Sequence, residues 1–247
     1  THTHTHTHTP AHTHTHIHIF LRLKKLPFSV LELIIHGTNV EDVKVLQHLT
    51  QLQVLDLSHT RVTDITPLAA LGQLKKLCLS GTNVGEGWTI FSSISALEEL
   101  DLSWSNLSKL ANLSGSCLGH LKRLNLIGCG AIQDWPSLFG AENLEEINLS
   151  QTSFADLAYL ENCRHTLRWL HLDGCTALSD FSPLSEFTSL TNLSVKHVDN
   201  IGLNHLLLFA SVDKLGYLYL TRQQVPRNAR QHLQTLKPGS KLQLFIQ

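Results

Sequence analysis

The chain is 247 residues long, sets 19 Lys+Arg against 20 Asp+Glu for a net charge of -1, and contains five Cys and no Met. A balance this even excludes the basic excess of a nucleic-acid or anionic-membrane surface. No apolar run reaches the length of a bilayer span, and the stretch Leu26 to Ile35 is broken by Glu32 with no small-residue cleavage site after it.

Eight of the 17 histidines fall in the first twenty residues, THTHTHTHTPAHTHTHIHIF. Such a comb reads as a metal-binding arm, as an extended segment with His on one face, or as a translated CA repeat, since ACA and CAC encode Thr and His. A metal site needs fixed geometry and supporting hydrogen bonds, which a bare comb lacks. The start at Thr1 and the absence of Met favour the repeat reading. Residues 1–19 are therefore expected to be a low-complexity tract, disordered or an artefact of gene prediction, with the fold in residues 20–247 and a true start upstream.

Residues 20–29 read as the N-terminal edge of the folded region. From Val30 an apolar anchor recurs at Leu52, Leu74, Leu97, Leu121, Leu144, Leu167, Leu190 and Leu215, at intervals of 22, 22, 23, 24, 23, 23, 23 and 25 residues. Each anchor opens the same motif. In LQVLDLSHT, beginning at Leu52, the first, fourth and sixth residues are apolar, and Thr60 closes the nine. The tails between motifs, such as TDITPL (63–68) and SDFSPL (179–184), carry a short acceptor and a proline. Asp64, Asp134, Asp156 and Asp180 suit the cap of a 3-10 turn, and Pro67 and Pro183 its first part. Past Val225, RNARQHLQTL reads as a helix and KLQLFIQ as a last strand, together a C-terminal cap over about 226–247.

The motif LxxLxLxx(N/C/T) resembles the leucine-rich repeat, in the short-repeat form of internalins and phosphatase regulators. That resemblance implies an α/β solenoid: a horseshoe of repeats over about 30–225 with a parallel concave β-sheet and a mostly irregular or 3-10 convex side. Elementary packing agrees, since no single repeat can bury its own apolar side and neighbours must stack.

The ninth motif position holds Thr38, Thr60, Thr82, Ser105, Cys129, Thr152 and Cys175. Their hydroxyls and thiols are expected to be structural, bonding the neighbouring coil's backbone. Cys129 and Cys175, like Cys117 and Cys163, occupy equivalent places two repeats apart, about 10 Å and beyond disulfide reach. Cys78 stands alone on the concave face. The cysteines thus point to a reducing, cytoplasmic setting. Of the four N-x-S triplets, at Asn106, Asn112, Asn148 and Asn192, two are by-products of the LxLS strand pattern.

No phosphate-cradling glycine loop, HExxH or GxSxG is present. His171 and His197 with Asp173 make too small a set for a metal. The expectation is a protein that is no enzyme and needs no cofactor.

On the concave wall, the second and third motif positions alternate in charge: Lys75-Lys76, Glu98-Glu99, Lys122-Arg123, Glu145-Glu146, Arg168-Trp169. Neighbouring strands should neutralise each other there. The C-terminal half differs, with Trp169, His171, Tyr217 and Tyr219 on the exposed face, Lys196 and Arg222 beside them, and Trp104 at a strand end. Aromatics and arginine dominate binding hot spots. These residues, with Arg123, are the candidate contacts for a protein or peptide ligand. The resemblance implies a non-catalytic, monomeric scaffold or adaptor that inserts in no membrane. The alternative it implies is a secreted or cell-surface recognition module whose signal or anchor lies outside this sequence.

Overall fold

Each LxxLxL segment forms a short strand whose alternating residues face the core and the concave wall. The structure, a computed structural model, describes residues 23–113, 116–199, 201–224 and 242–246. Among them, ten strands make one parallel sheet in chain order: β1 (Glu32–Ile34), β2 (Val54–Asp56), β3 (Lys76–Cys78), β4 (Glu99–Asp101), β5 (Arg123–Asn125), β6 (Glu146–Asn148), β7 (Trp169–His171), β8 (Asn192–Ser194), β9 (Tyr217–Leu220) and β10 (Gln243–Ile246). The horseshoe of leucine-rich repeats expected from the sequence is the fold observed.

Register follows the motif without a slip. Leu55 pairs with Leu77, Leu77 with Leu100, Leu100 with Leu124, and the line runs on through Ile147, Leu170 and Leu193 to Leu218. All are buried, as are the anchors from Leu52 to Leu215. The core is thus a continuous stack along the solenoid axis, and at its N-terminal end Leu23 is buried with Leu26 and Val30 packed against it.

The convex side is built mainly of 3-10 turns, among them Lys44–His48, Thr66–Ala70, Trp135–Gly140 and Ser182–Glu186. The two longest intervals admit α-helix instead. The 24-residue interval holds Ser116–His120, and the 25-residue interval holds Leu203–Ser211, whose Leu206, Phe209 and Ala210 are buried. Trp135 is also core, in edge contact with Phe154.

Capping follows expectation at three aspartates and departs from it at one. Asp64 accepts from the Thr66 amide, Asp156 from Ala158 and Asp180 from Ser182, each at 2.8 Å. Asp134 instead accepts from the amides of Leu110 and Ala111, both at 2.8 Å, and so caps the turn of the preceding repeat. Desolvation pushes its acidity down, but these amide bonds outweigh it and hold the carboxyl below its ordinary pKa.

The ninth position also divides. Thr60, Thr82 and Thr152 each donate at 2.6 Å to the carbonyl three residues back, within their own repeat. The thiols reach the neighbouring coil's backbone: Cys129 donates to Leu102 O at 3.0 Å and Cys175 to Leu149 O at 3.1 Å. Near the C-terminal end Gln224 is buried and bonded on both sides, its Nε2 donating to Val195 O at 2.8 Å and Val198 O at 2.7 Å.

All five cysteines are free, and four are buried. Burial pushes the thiols of Cys117 and Cys163 up to about 12. An unfolded thiol ionises near pH 8.5, so above that value the unfolded chain binds fewer protons than the folded one, and stability falls as pH rises toward 12. Urea titrations at pH 8 and pH 10.5 should show a falling midpoint, and a Cys117→Ala/Cys163→Ala variant should start lower but lose less between the two. Equal losses in both proteins would rule these thiols out as the cause.

The Thr-His tract at residues 1–19 and the helix expected over RNARQHLQTL lie outside the described residues. The last strand is as expected: β10 continues the sheet, with Leu244 opposite Leu218 and Phe245 opposite Tyr219.

Candidate functional site

The strands present their third and fifth motif residues to the concave face, so the wall reads as columns across the sheet. Over β3 to β5 the charged column neutralises itself. Glu99 lies between Lys76, at 3.1 Å, and Arg123, which it also bonds, while Lys122 meets Glu98 at 2.7 Å. The hydrogen bonds from Lys122 and Arg123 hold the Glu98 and Glu99 carboxyls below their usual range. Asp56 and Asp101 turn inward as well: Asp56 accepts from the Ser58 amide at 2.8 Å, and Asp101 from the Ser103 amide at 2.9 Å and Asn125 Nδ2 at 3.1 Å. The hollow of about 490 Å³ over this half is lined in part by these bonded groups, among them Lys76, Glu99, Asp101 and Arg123.

From β7 onward the column changes character. Trp169 and His171 lie on the same strand with rings 6.0 Å apart and nearly parallel. Burial pushes the His171 imidazole below its ordinary pKa, against the opposing pull of Glu146 and Asp173, so the ring is neutral at neutral pH and packs as an aromatic. Two strands on, Tyr217 and Tyr219 form a second wall, and Phe245 of β10 stacks on Tyr219 at 4.8 Å. Trp169 is 39% exposed, and Tyr217 and Phe245 are each 40% exposed. Between the walls, β8 carries Asn192 and Ser194, small residues 5% and 4% exposed in the shadow of their neighbours. The result is two aromatic walls about 10 Å apart from strand to strand, with the amide and hydroxyl of β8 covered between them.

The other candidates fall into three places. Arg123 is on β5, two strands from Trp169, and belongs to the ionic ladder. Lys196 lies past the end of β8 and pairs with Asp173 at 3.3 Å. Arg222 follows β9 at the start of a 3-10 turn and is exposed. Trp104 stands in the turn after β4, 55% exposed and with φ of +57°.

That turn repeats. Gly37, His59, Gly81, Trp104, Gly128, Gln151, Gly174 and His197 occupy the eighth motif position in consecutive repeats, and all have positive φ. Glycine alternates with a larger residue, whose side chain lies over the glycine that comes next: a Cβ on Gly81 would meet the His59 ring at 2.4 Å, and one on Gly128 the Trp104 ring at 2.3 Å. His59 and His197 thereby lie in turns past the strand ends.

Sequence reasoning passes over Phe245, Asn192 and Ser194. Carrying the motif register into KLQLFIQ puts Phe245 in the column of His171 and Tyr219. Asn192 reads in the sequence as part of an N-x-S triplet, yet it is buried between the two aromatic walls. Among the described residues, no group of three or more His, Cys, Asp or Glu is placed to hold a metal ion, and no helix is long and apolar enough to cross a membrane.

No protein-family model matches the chain, and no curated protein does. Solved structures do. The chain is similar to a leucine-rich-repeat protein of Leptospira interrogans at a TM-score of 0.69 and 20% identity, over 88% of this chain and 55% of that one. It is similar to internalin C2 of Listeria monocytogenes at a TM-score of 0.50 and 19% identity, over 89% of this chain and 82% of that one. The chain thus spans about half the length of the Leptospira protein. At these identities the likeness establishes the fold, the leucine-rich-repeat solenoid.

Proposed function

We propose that this chain is a non-catalytic protein-binding scaffold that holds a protein or peptide ligand against the C-terminal half of its concave face. One observation carries the reading. The wall over β3 to β5 pairs its own charges, whereas Trp169, Tyr217 and Phe245 are left about two-fifths exposed on the concave face. Large aromatics bury much area at low entropy cost, which is what a contact surface requires. Trp169, His171, Tyr217 and Tyr219 form the centre of this surface, with Lys196 and Arg222 on its rim. Trp104 and Arg123 lie further along the same face.

The chain acts as a monomer in this reading. Its five free thiols support a reducing, cytoplasmic setting over an extracellular one.

The test is selection of displayed random peptides on the native chain and on the Trp169→Ala/Tyr217→Ala/Tyr219→Ala variant. The native chain is expected to enrich binders and the variant to lose them, with cooperative unfolding kept in both. Enrichment that survives in the variant would move the site elsewhere on the molecule.

A further inference from the structure

We infer that the concave face takes an arginine of its ligand between the Trp169 indole and the Glu146 carboxylate, from a peptide that crosses the strands and sets an apolar residue on the rings of Tyr217 and Phe245. The inference rests on the binding face proposed for this chain and names the chemistry that the face selects.

Charge comes first. Glu146 stands directly opposite Trp169 in the register of β6 and β7, so carboxylate and indole rise from strands about 4.8 Å apart. The Glu146 side chain is 42% exposed and lines the hollow that extends over the N-terminal half. The cations that could neutralise it are engaged elsewhere. Lys76 and Arg123 are both bonded to Glu99, and Lys196 pairs with Asp173 at 3.3 Å. Arg168 lines a separate hollow at the rim where the strands begin, with Lys122 and Glu145. What Glu146 does meet is the His171 ring, at 3.7 Å, and that imidazole is neutral at neutral pH. The exposed tryptophan thus has a carboxylate beside it that pairs with no cation among the described residues.

The ring decides the kind of cation. Trp169 keeps one side against His171, with ring centres 6.0 Å apart, and remains 39% exposed. A guanidinium is planar and weakly hydrated, stacks on aromatic faces and presents paired donors to a carboxylate. An ammonium is a compact, strongly hydrated point charge. A ring and a carboxylate side by side therefore suit arginine better than lysine.

Spacing supplies the second contact. Asn192 and Ser194 are covered between the two walls, so a ligand lies across the ring edges and does not descend to the sheet. From Trp169 to Tyr217 is two strands, about 10 Å. An extended chain covers that distance in three residues, at about 3.3–3.6 Å each. The second wall is uncharged: Tyr217 lies against Phe245 with ring centres 6.1 Å apart, and Phe245 stacks on Tyr219. An apolar side chain three residues from the arginine rests there.

The probes are short capped peptides with Arg-Ser-Ser-Leu at their centre, the same peptides with lysine or citrulline in place of arginine, and one with serine in place of leucine. Citrulline keeps the planar shape and removes the charge. Calorimetry and the Trp169 indole N–H resonance of the full chain report binding. The arginyl peptide is expected to bind saturably and to move that resonance, with binding about tenfold weaker for citrulline and about threefold weaker for lysine or without the leucine. Glu146→Gln should weaken the arginyl peptide about fivefold and leave the citrulline peptide as it was, a change of preference that a structural loss alone does not produce. Glu186→Gln, in a turn of the convex side, should change neither. The comparison of arginine with citrulline needs only the native chain, so a variant that unfolds leaves the test intact. Equal binding of those two peptides by the native chain would overturn the inference, as would a Glu146→Gln variant that prefers arginine by the same factor. No binding of the arginyl peptide, with random peptides still selected by the native chain and lost in the triple variant, would overturn the arginine site and leave the binding face standing. Failure of both selections would remove the face as well.

Discussion

Replacing Gln224 with alanine is expected to cost about 3 kcal/mol of stability, far more than a surface glutamine contributes. The side chain is buried and uses its full hydrogen-bonding capacity. Its Nε2 donates to two carbonyls, Val195 O and Val198 O, while its Oε1 accepts from the amide and hydroxyl of Thr221, each at 2.7 Å. Truncation strands four buried polar groups, each costing about 1–3 kcal/mol unless water enters. Gln224→Glu should be as harmful, because a carboxylate cannot donate to the two carbonyls and brings an unpaired buried charge. In a solenoid each coil is held by its neighbours, so the loss should be local at first. Urea denaturation with hydrogen exchange would show early exchange over residues 215–224 and a lower midpoint. A change under about 0.5 kcal/mol would mean that solvent satisfies these groups already.

Much of this architecture was legible in the residues, and what escaped has identifiable causes. Apolar anchors with fixed phase dictate inward positions, and in-register stacking results because neighbouring coils have no other way to cover them. That logic located every strand from Glu32 to His171. It said less about turns, where a single polar group can choose between partners. Asp134 has the same place in its tail as Asp64, yet it bonds the preceding coil because the amides of Leu110 and Ala111 lie within reach. The helix Leu203–Ser211 was signalled only by the longest interval in the chain, a weak cue without knowledge that leucines there would face inward. At the candidate site the aromatics themselves were visible, but their arrangement in two walls was not. It depends on the small pair Asn192 and Ser194 lying between two large pairs, a relation that exists only across three strands. The left-handed position was half visible, since glycine marks only alternate repeats and His59, Trp104, Gln151 and His197 hide the rest.

Gly128 and Trp104 give that alternation a measurable consequence. Gly128→Ala is expected to destabilise the chain by about 2–3 kcal/mol, through two separable causes. An L-residue at φ of +73° costs about 1–2 kcal/mol, and the new methyl would sit 2.3 Å from the Trp104 ring, which must swing off the turn and give up its contacts. In a Trp104→Gly background the second cause vanishes, and the same substitution should cost only about 1 kcal/mol. Trp104→Gly alone should be nearly neutral, because the strain of a tryptophan at φ of +57° is released as the half-exposed ring is lost. A double-mutant cycle by urea denaturation reads the coupling directly, and about 1 kcal/mol or more is expected. Additive costs would mean that the ring rests on Gly128 without being held there, and Trp104 would then be free to serve a ligand. A coupled pair instead makes the indole part of the turn's own packing, so that a partner reaching this rim meets a fixed surface and not a loose side chain.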